Sequence, residues 1–252
     1  MSRHIRSVAF VVMALILVPF IVAGLSGLPA FGNYPGPYGD IINAIGTPVR
    51  HITNMVTGVN YDFRGLDTLG EEFILFASVT GIVMLLRGAR GEAKSADALR
   101  IEHRRREGRS EAVMGAGRLL APITLLYGIY VVLHAQITPG GGFQGGVIVF
   151  GAVLLAYLGE GYSVWRHVAH STVLDLTEAL GAGIYVIGGL IPMFFGARYL
   201  QNILPLGETK TITSGGLIPI INFGVGLAVA AGFLSIALEL LEETRATGGD
   251  GS

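Results

Sequence analysis

The chain has 252 residues, of which 51% are hydrophobic and 14% charged, and its formal net charge is −1. Soluble domains carry about 25% charged residues, so the composition favours a membrane protein, and the nearly neutral charge gives no reason to expect nucleic-acid binding. The absence of cysteine from the sequence excludes disulfides, thiolate metal ligands, Fe–S ligation and cysteine nucleophiles. Any redox chemistry must therefore belong to a partner subunit.

Six apolar runs are long enough to cross a bilayer as helices, because a span needs roughly 20 residues. We predict spans at 7–28, 68–87, 117–136, 142–159, 173–195 and 216–241. The first follows basic residues but is too long for a signal-peptide core and lacks a clear cleavage site, so we expect a retained span. The runs do not alternate as barrel strands do. The expected fold is all-α, with about six transmembrane helices.

Charge predicts the orientation of these spans. Nine lysines and arginines lie between residues 87 and 118, whereas the loops on the opposite side hold four: Arg50, Arg64, Arg198 and Lys210. The positive-inside rule then places both termini in the cytoplasm. We predict two helices in 1–87, a charged linker at 88–112, four helices in 113–243 and a tail at 244–252. The linker is either a solvated segment or a contact with anionic lipid or a soluble partner.

The outer connection 29–66 leads into a group of acidic residues. It begins rich in Pro and Gly, and we expect a re-entrant or interfacial helix through 41–59. Asp67 and Glu71 are four residues apart and share a helix face, with Glu72 beside them. Paired carboxylates could bind a proton or a sodium ion. The alternative is helix capping, with Thr68 and Glu71 forming a capping box and the acids complementing the helix dipole.

The second polar group is the run HAQITPGGGFQGG, between the third and fourth spans. A histidine, a glutamine and bare backbone amides at a helix break could line a wet cavity, and histidine titrates near physiological pH. The alternative is a tight turn whose glycines allow close packing. The candidates for an ionic role are His134 and Gln144. The structural motif comprises Thr138, Pro139, Gly140, Gly141, Gly142, Phe143, Gly145 and Gly146.

Further polar residues lie at or near the ends of the later spans. Asp175 and Glu178 share a face at the start of the fifth span, which suits either dipole complementarity or proton uptake. Glu160 and Glu239 lie near the ends of the fourth and sixth spans, and we interpret Glu239 as an interface-level residue. We expect Asn222 to bond to a neighbouring helix. The histidines at 167 and 170 are too few for a metal site.

The segment from Val113 to about Glu243 resembles the MnhB-like domain, the MnhB subunit of the multisubunit Mrp-type sodium/proton antiporters. The resemblance rests on LHAQITPGGGFQGG and on SGGLIPIINFGVGL at 214–227. This chain has Ala135–Gln136 where the pattern leads us to expect Gly–His, so a second histidine is missing. The segment 1–87 resembles the C-terminal part of the large Mrp A subunit, which is also the separate E subunit of membrane-bound hydrogenases, through LPAFGNYP and DFRGLDTLGEE.

The resemblance implies two neighbouring subunits fused end to end, in a multi-pass protein of the plasma or inner membrane. It implies a non-catalytic subunit of a complex that exchanges sodium for protons, with other complex subunits and lipids as partners and no cofactor of its own. Asp67 and Glu71 match the acidic pair of the MrpA-type module. Two alternatives remain open: a membrane-arm subunit of a hydrogenase or related redox-driven pump, and a purely structural scaffold. The residues offer no nucleophile–base pair, metal triad or nucleotide loop, so we do not expect a self-contained enzyme.

Overall fold

The computed structural model of the chain describes residues 3–33, 36–89, 110–162, 165 and 170–247. Throughout this part of the chain the regular elements are helical, which confirms the all-α prediction. We number the helices in chain order: α1 (Arg3–Ser26), α2 (Tyr38–Arg50), α3 (Met55–Gly58), α4 (Gly65–Ala89), α5 (Glu111–Leu133), α6 (Gly142–Glu160), α7 (Ser171–Phe194) and α8 (Ile218–Thr247). A π-helical turn, Val59–Phe63, follows α3.

Helices α4 to α8 are each long and apolar enough to cross a bilayer. They match the second to sixth predicted spans, with ends that differ by a few residues. Helix α1 corresponds to the first predicted span, but its apolar stretch, Phe10–Ser26, is shorter than those of the other five. That stretch is at the lower end of the lengths that span a hydrocarbon core. The cytoplasmic placement of the termini stays a prediction.

The prediction of one continuous helix through 41–59 is wrong. Helix α2 ends at Arg50, and His51 has a left-handed backbone with φ of 56°. A left-handed residue ends a right-handed helix. Asn54 then caps the next helix, because its side-chain oxygen accepts a hydrogen bond from Val56 N.

The chain divides into two compact units, Met1–Ile41 and Ile42–Ser252. The first holds α1 and the beginning of α2, and α1 exposes large apolar side chains such as Phe10, Met13 and Leu15. Such a surface suits a helix surrounded by lipid.

The second unit is built around α8. Of the most apolar stretch of α8, 61% is buried, against 17–33% in the other four spans. Helix α8 packs on α4, α6 and α7, while α5 and α6 form a hairpin. Glycines allow close approach: a side chain at Gly181 would meet Gly224 O, and one at Gly146 would meet Gly226 O.

The predicted division at a charged linker stays a prediction, since linker residues 90–109 and tail residues 248–252 lie outside the described residues. Within the second unit, however, α4 packs directly on α8. Helices from both sides of the predicted linker therefore share one core.

Candidate functional site

The acidic residues of α4 point in two directions. Helix α4 begins at Gly65, so Thr68 lies inside its first turn and cannot form the capping box suggested by the sequence. Asp67 and Glu71 are exposed, and Asp67 pairs with Arg64. Glu72, one residue further on, is only 7% exposed. The buried acid of this group is thus Glu72 rather than the pair that shares a face.

A second buried carboxylate comes from α7. Glu178 is 6% exposed, whereas Asp175, one turn earlier, is exposed. A side chain built on Gly232 would lie 3.5 Å from Glu178 Oε1 and 3.0 Å from Val79 Cγ2. Glu178 therefore lies where α4, α7 and α8 meet. Its Oε1 atom is buried and has no hydrogen-bond partner within the described ranges.

The charges that act on Glu72 are those of Glu71 and then Glu178, and the charge that acts on Glu178 is that of Asp175. Repulsion between neighbouring carboxylates favours the binding of a cation. Carboxylate oxygens bind hard cations and protons alike. Each of the two buried acids can therefore hold a proton or a metal ion such as sodium.

Hydroxyl groups lie near the beginning of α4, on the N-terminal side of Glu72. Thr68 is 6% exposed and lies one turn before Glu72 on α4. The Tyr185 hydroxyl donates to Gly65 O at 2.7 Å, and the rings of Tyr61 and Tyr185 lie 6.2 Å apart. Burial, followed by the nearby Glu72 charge, raises the pKa of Tyr61 well above its usual range. The phenol of Tyr61 is thus protonated at neutral pH and acts as a neutral neighbour of the carboxylate.

Helix α8 adds polar groups on the face that meets Glu178. Ser235 and Glu239 follow Gly232 by three and seven residues, which places all three along one side of the helix. Ser235 and Glu239 are each 1% exposed, and Ser235 Oγ lacks a hydrogen-bond partner in the part of the chain that the structure describes. The packing of α8 in the centre of the unit buries Glu239, and its predicted position at the level of the membrane interface stays a prediction.

A polar cleft of about 860 Å³ opens beside the beginning of α4. Its charged lining includes two ion pairs, Arg50 with Asp62 and Arg64 with Asp67, together with Arg198. Burial raises the pKa of Asp62, and the Arg50 charge opposes that rise. The π-helical turn presents Asp62 to Arg50; such turns are frequent at functional sites.

The cleft ends close to the buried hydroxyl groups. Gly65 and Leu200 both line it, and a side chain built on Gly65 would lie 3.2 Å from Leu200 Cδ1. Gly65 also accepts the hydrogen bond from Tyr185. Along α4, the cleft at Gly65 is therefore followed by the Tyr185 hydroxyl and Thr68, and then by Glu72.

The run HAQITPGGGFQGG forms the turn between α5 and α6, as its structural alternative predicts. Gly140 has φ of 141°, a conformation that favours glycine. Asn222 fixes the end of the turn: its Oδ1 accepts from Gly142 N at 2.5 Å and its Nδ2 donates to Val132 O at 2.6 Å. The prediction that Asn222 bonds to a neighbouring helix is confirmed. The two sequence motifs of the resemblance thus meet in one junction.

The other candidates on this turn lie at its surface. The ring of His134 stacks on Tyr130 at 4.1 Å, and its Nδ1 lies 3.1 Å from Tyr130 O. Phe143 and Gln144 are exposed. Gln136, in the place of the missing histidine, is fully buried and donates to Ile212 O at 2.5 Å. The structure brings none of these four to Glu72 or Glu178 by a described contact.

The remaining residues singled out from the sequence are either exposed or outside the described residues. Glu160 pairs with Arg118 at 2.8 Å, and both side chains are exposed. The histidine at 167 lies outside the described residues, and His170 is exposed before α7. Within the described residues there is no group of three or more acidic or histidine side chains that could hold a metal ion.

Sequence reasoning missed Asn54, Tyr61, Tyr185 and Ser235. The two tyrosines and the serine are polar groups within or beside apolar runs, the signal that singled out Asn222. Asn54 lies in the outer connection, and no spacing pattern there points to its long-range contacts.

Comparison with known proteins places these features in context. A family model described as a domain related to the MnhB subunit of the Na+/H+ antiporter matches residues 113–235. A Staphylococcus aureus protein named as antiporter subunit mnhB2 is 32% identical over 131 residues, which cover 49% of this chain and 88% of that protein. An uncharacterized protein of Methanocaldococcus jannaschii is 31% identical over 242 residues, 90% of each chain.

Two solved structures share the fold. A chain of the membrane-bound sulfane sulfur reductase, an archaeal respiratory membrane complex, superposes with a TM-score of 0.68 and 30% identity, covering 94% of this chain and 98% of that one. A chain of the Mrp complex from Dietzia sp. DQ12-45-1b superposes with a TM-score of 0.65 and 21% identity. That match covers 100% of this chain and 27% of the Dietzia chain, and it concerns the fold alone.

Proposed function

Because the chain belongs to the family of the MnhB subunit of Na+/H+ antiporters, we propose that it is a membrane subunit of a multisubunit cation/proton antiporter and lines part of the ion route. The observation that carries the proposal is the burial of two carboxylates, Glu72 on α4 and Glu178 at the junction of α4, α7 and α8. Ionisable side chains at span depth are costly, and where they occur they mark ion or proton paths.

Competition between a proton and a sodium ion for the same oxygens gives exchange. Glu178 Oε1 has no hydrogen-bond partner in the described residues, so it is available to either ion. Repulsion between Glu72 and Glu178 favours one bound cation over none. A proton that binds from one side then displaces sodium toward the other, with the hydroxyl groups of Thr68 and Tyr185 between this site and the cleft.

The exposed ion-pathway candidates are distinct from the two buried carboxylates. Asp67 lines the cleft, where it pairs with Arg64, and its ionic role stays a prediction. Glu71 and Asp175 are exposed on α4 and α7, the surfaces on which a partner subunit could complete the route. His134 and Gln144 lie at the α5–α6 turn, and their ionic role stays a prediction.

Exchange in vesicles that carry the whole complex tests the carboxylate route. We expect Glu72→Gln and Glu178→Gln each to abolish most sodium-dependent proton movement, while Glu71→Gln, its exposed neighbour on α4, keeps it. Full exchange in both buried variants, with the complex intact, would exclude the route. Loss of complex assembly instead of exchange would favour the scaffold role, which the glycine-packed turn between α5 and α6 also supports.

A second candidate is the membrane arm of a redox-driven complex. It is favoured by the match of nearly the whole chain to a subunit of the sulfane sulfur reductase. In either case we assign catalysis to partner subunits, since the residues that the structure describes offer no recognised reactive constellation. Purification through a tag on this chain distinguishes the two: co-purifying Fe–S subunits, visible by their absorbance, would support the redox complex, and antiporter subunits alone would support the first candidate.

A further inference from the structure

Four oxygen atoms surround the side-chain nitrogen of Asn54. Asn54 Nδ2 lies 2.7 Å from Ala135 O, 2.9 Å from Thr138 O and 3.1 Å from Gly140 O, and 2.8 Å from Thr57 Oγ1. Asn54 is a buried residue, 8% exposed. We call these four oxygens the oxygen cage. Three of them are main-chain carbonyls of the turn between α5 and α6, which aims them at a single point.

The orientation of the amide is fixed by its other end. Asn54 Oδ1 accepts a hydrogen bond from Val56 N at 3.2 Å, so the opposite orientation would set two donors against each other. An amide nitrogen carries only two hydrogens. It can satisfy two of the four oxygens at once, and the Thr57 hydroxyl serves Gly140 O at 3.3 Å. Among the described hydrogen bonds, the oxygens of the cage therefore depend on the Asn54 amide for their donors, apart from the Thr57 hydroxyl.

The surroundings of this nitrogen resemble those of a monovalent cation. Rings of backbone carbonyls can replace the hydration shell of such ions. The carbonyls follow the end of α5, where the helix dipole is negative. Distances of 2.7–3.1 Å exceed the roughly 2.0–2.6 Å typical of magnesium and calcium. The cage thus suits a larger, singly charged ion of about the size of ammonium or potassium.

We propose that the oxygen cage is a latent monovalent-cation site and that Asn54 fills it with a tethered amide in place of the ion. Asn54 is then a positioning residue that keeps the α5–α6 turn closed to ions, away from Glu72 and Glu178. The latent site is independent of the proposed ion route. It gives a role to the carbonyl groups of the TPGGG run, which that route does not use.

Removal of the amide nitrogen tests the proposal. In Asn54→Ala the position of Nδ2 is vacant and four oxygens face it, so a cation bound there should stabilise the folded state, whereas in Asn54→Asp a carboxylate oxygen fills that position. We expect the thermal midpoint of the purified full-length Asn54→Ala variant to rise by about 5–10 °C in potassium or ammonium chloride relative to choline chloride at equal ionic strength, for an ion about 100-fold above its dissociation constant. The wild-type protein should show no such rise.

Radioactive rubidium, a potassium-sized probe, measures occupancy in the same preparations. Asn54→Ala should bind about one rubidium ion more than the wild-type chain, and Asn54→Asp, whose carboxylate oxygen fills the cage, should not. Asn222→Asp is the matched control: it is a buried asparagine at the same turn, but one carbonyl faces its nitrogen instead of three. Its loss of stability should be the same in all chloride salts.

Several results would overturn the inference. One is equal destabilisation of both Asn54 variants in every salt, including failure to fold in all of them. Another is rubidium binding to the wild type or to Asn54→Asp at the same level as to Asn54→Ala. Rescue of Asn222→Asp by potassium would show a general salt effect and would overturn it as well.

Discussion

The asparagines of the α5–α6 turn and the polar groups at the junction of α4, α7 and α8 are bonded differently. At the turn, Asn54 and Asn222 bond to main-chain groups at both ends of their amides. At the junction, Glu178 Oε1 and Ser235 Oγ are buried without a hydrogen-bond partner among the described residues, as is Gln136 Oε1 at the turn. The two asparagines thus anchor the turn, while the junction keeps a carboxylate and a hydroxyl group whose bonding capacity is not used by the described residues.

This difference has an energetic meaning. A satisfied buried amide stabilises the fold, whereas a buried carboxylate oxygen without a partner costs stability. Proteins retain such costs mainly where function needs them. Stability and ion exchange should therefore respond in opposite directions to substitutions in the two regions.

The largest loss of stability should come from adding a side chain to Gly142, which contacts the backbone of α8 at the turn. A side chain at Gly142 would collide with Asn222 O and Gly226 N, backbone atoms that cannot move aside. We expect Gly142→Ala to destabilise the chain by about 3 kcal/mol, measured as a fall in the thermal midpoint in detergent. Gly151→Ala, on the same helix with open space around it, is the control and should be neutral or slightly stabilising. Equal effects would mean that helix packing is loose at the turn.

Removal of the amide that ties the two motifs together should cost somewhat less. Asn222→Ala leaves Gly142 N and Val132 O without their partner. Because buried groups left unpaired lose about 1–3 kcal/mol each, we expect a loss of about 2 kcal/mol once water partly replaces the amide. Denaturation of the purified protein measures it. An unchanged midpoint would remove the distinction between the two regions.

At the junction of α4, α7 and α8, by contrast, we expect a substitution to increase the stability of the chain. Glu178→Met keeps the side-chain volume and removes a buried charge, so it should stabilise the chain by about 1 kcal/mol. The thermal midpoint should rise in this variant, while that of Glu71→Met, at an exposed site, should change little. A clear fall for Glu178→Met would show that Glu178 holds the three helices together.

The smallest expected effect is a pH dependence beside the cleft. Burial raises the pKa of Asp62 in the folded chain above its unfolded value of about 3.9, although Arg50 opposes the shift. As pH rises from about 4, the unfolded chain loses this proton first, so stability falls until the folded carboxyl also ionises. The loss should stay under about 1 kcal/mol. Asp62→Asn should flatten this part of the curve of midpoint against pH, and an identical slope in both proteins would refute it.

The sequence predicts the spans well because bilayer thickness imposes long apolar runs. It also predicts the turn, since glycine and proline have local meaning, and the bonding role of Asn222. It does not reveal which acid of 67–72 is buried, because periodicity gives a shared face but not the side on which the neighbouring helices pack. The burial of Glu239 escapes prediction for the same reason: the central place of α8 is a property of the assembled unit.

The break at His51 is hidden for another reason. A left-handed backbone in a residue other than glycine is set by its surroundings, here a hydrogen-bonding contact between His51 Nδ1 and Gly207 O at 2.5 Å. The partners of Asn54 are likewise about 80 residues away. Local sequence rules do not reach contacts of that range.

Glu178 should serve ion movement at the expense of stability, and both quantities can be measured on one preparation of the whole complex carrying Glu178→Gln. The measurement pairs sodium-dependent proton exchange with the thermal midpoint. We expect exchange to be lost while the midpoint stays equal or rises. Retained exchange, or a loss of exchange that accompanies a lower midpoint and a dissociated complex, would refute this trade-off.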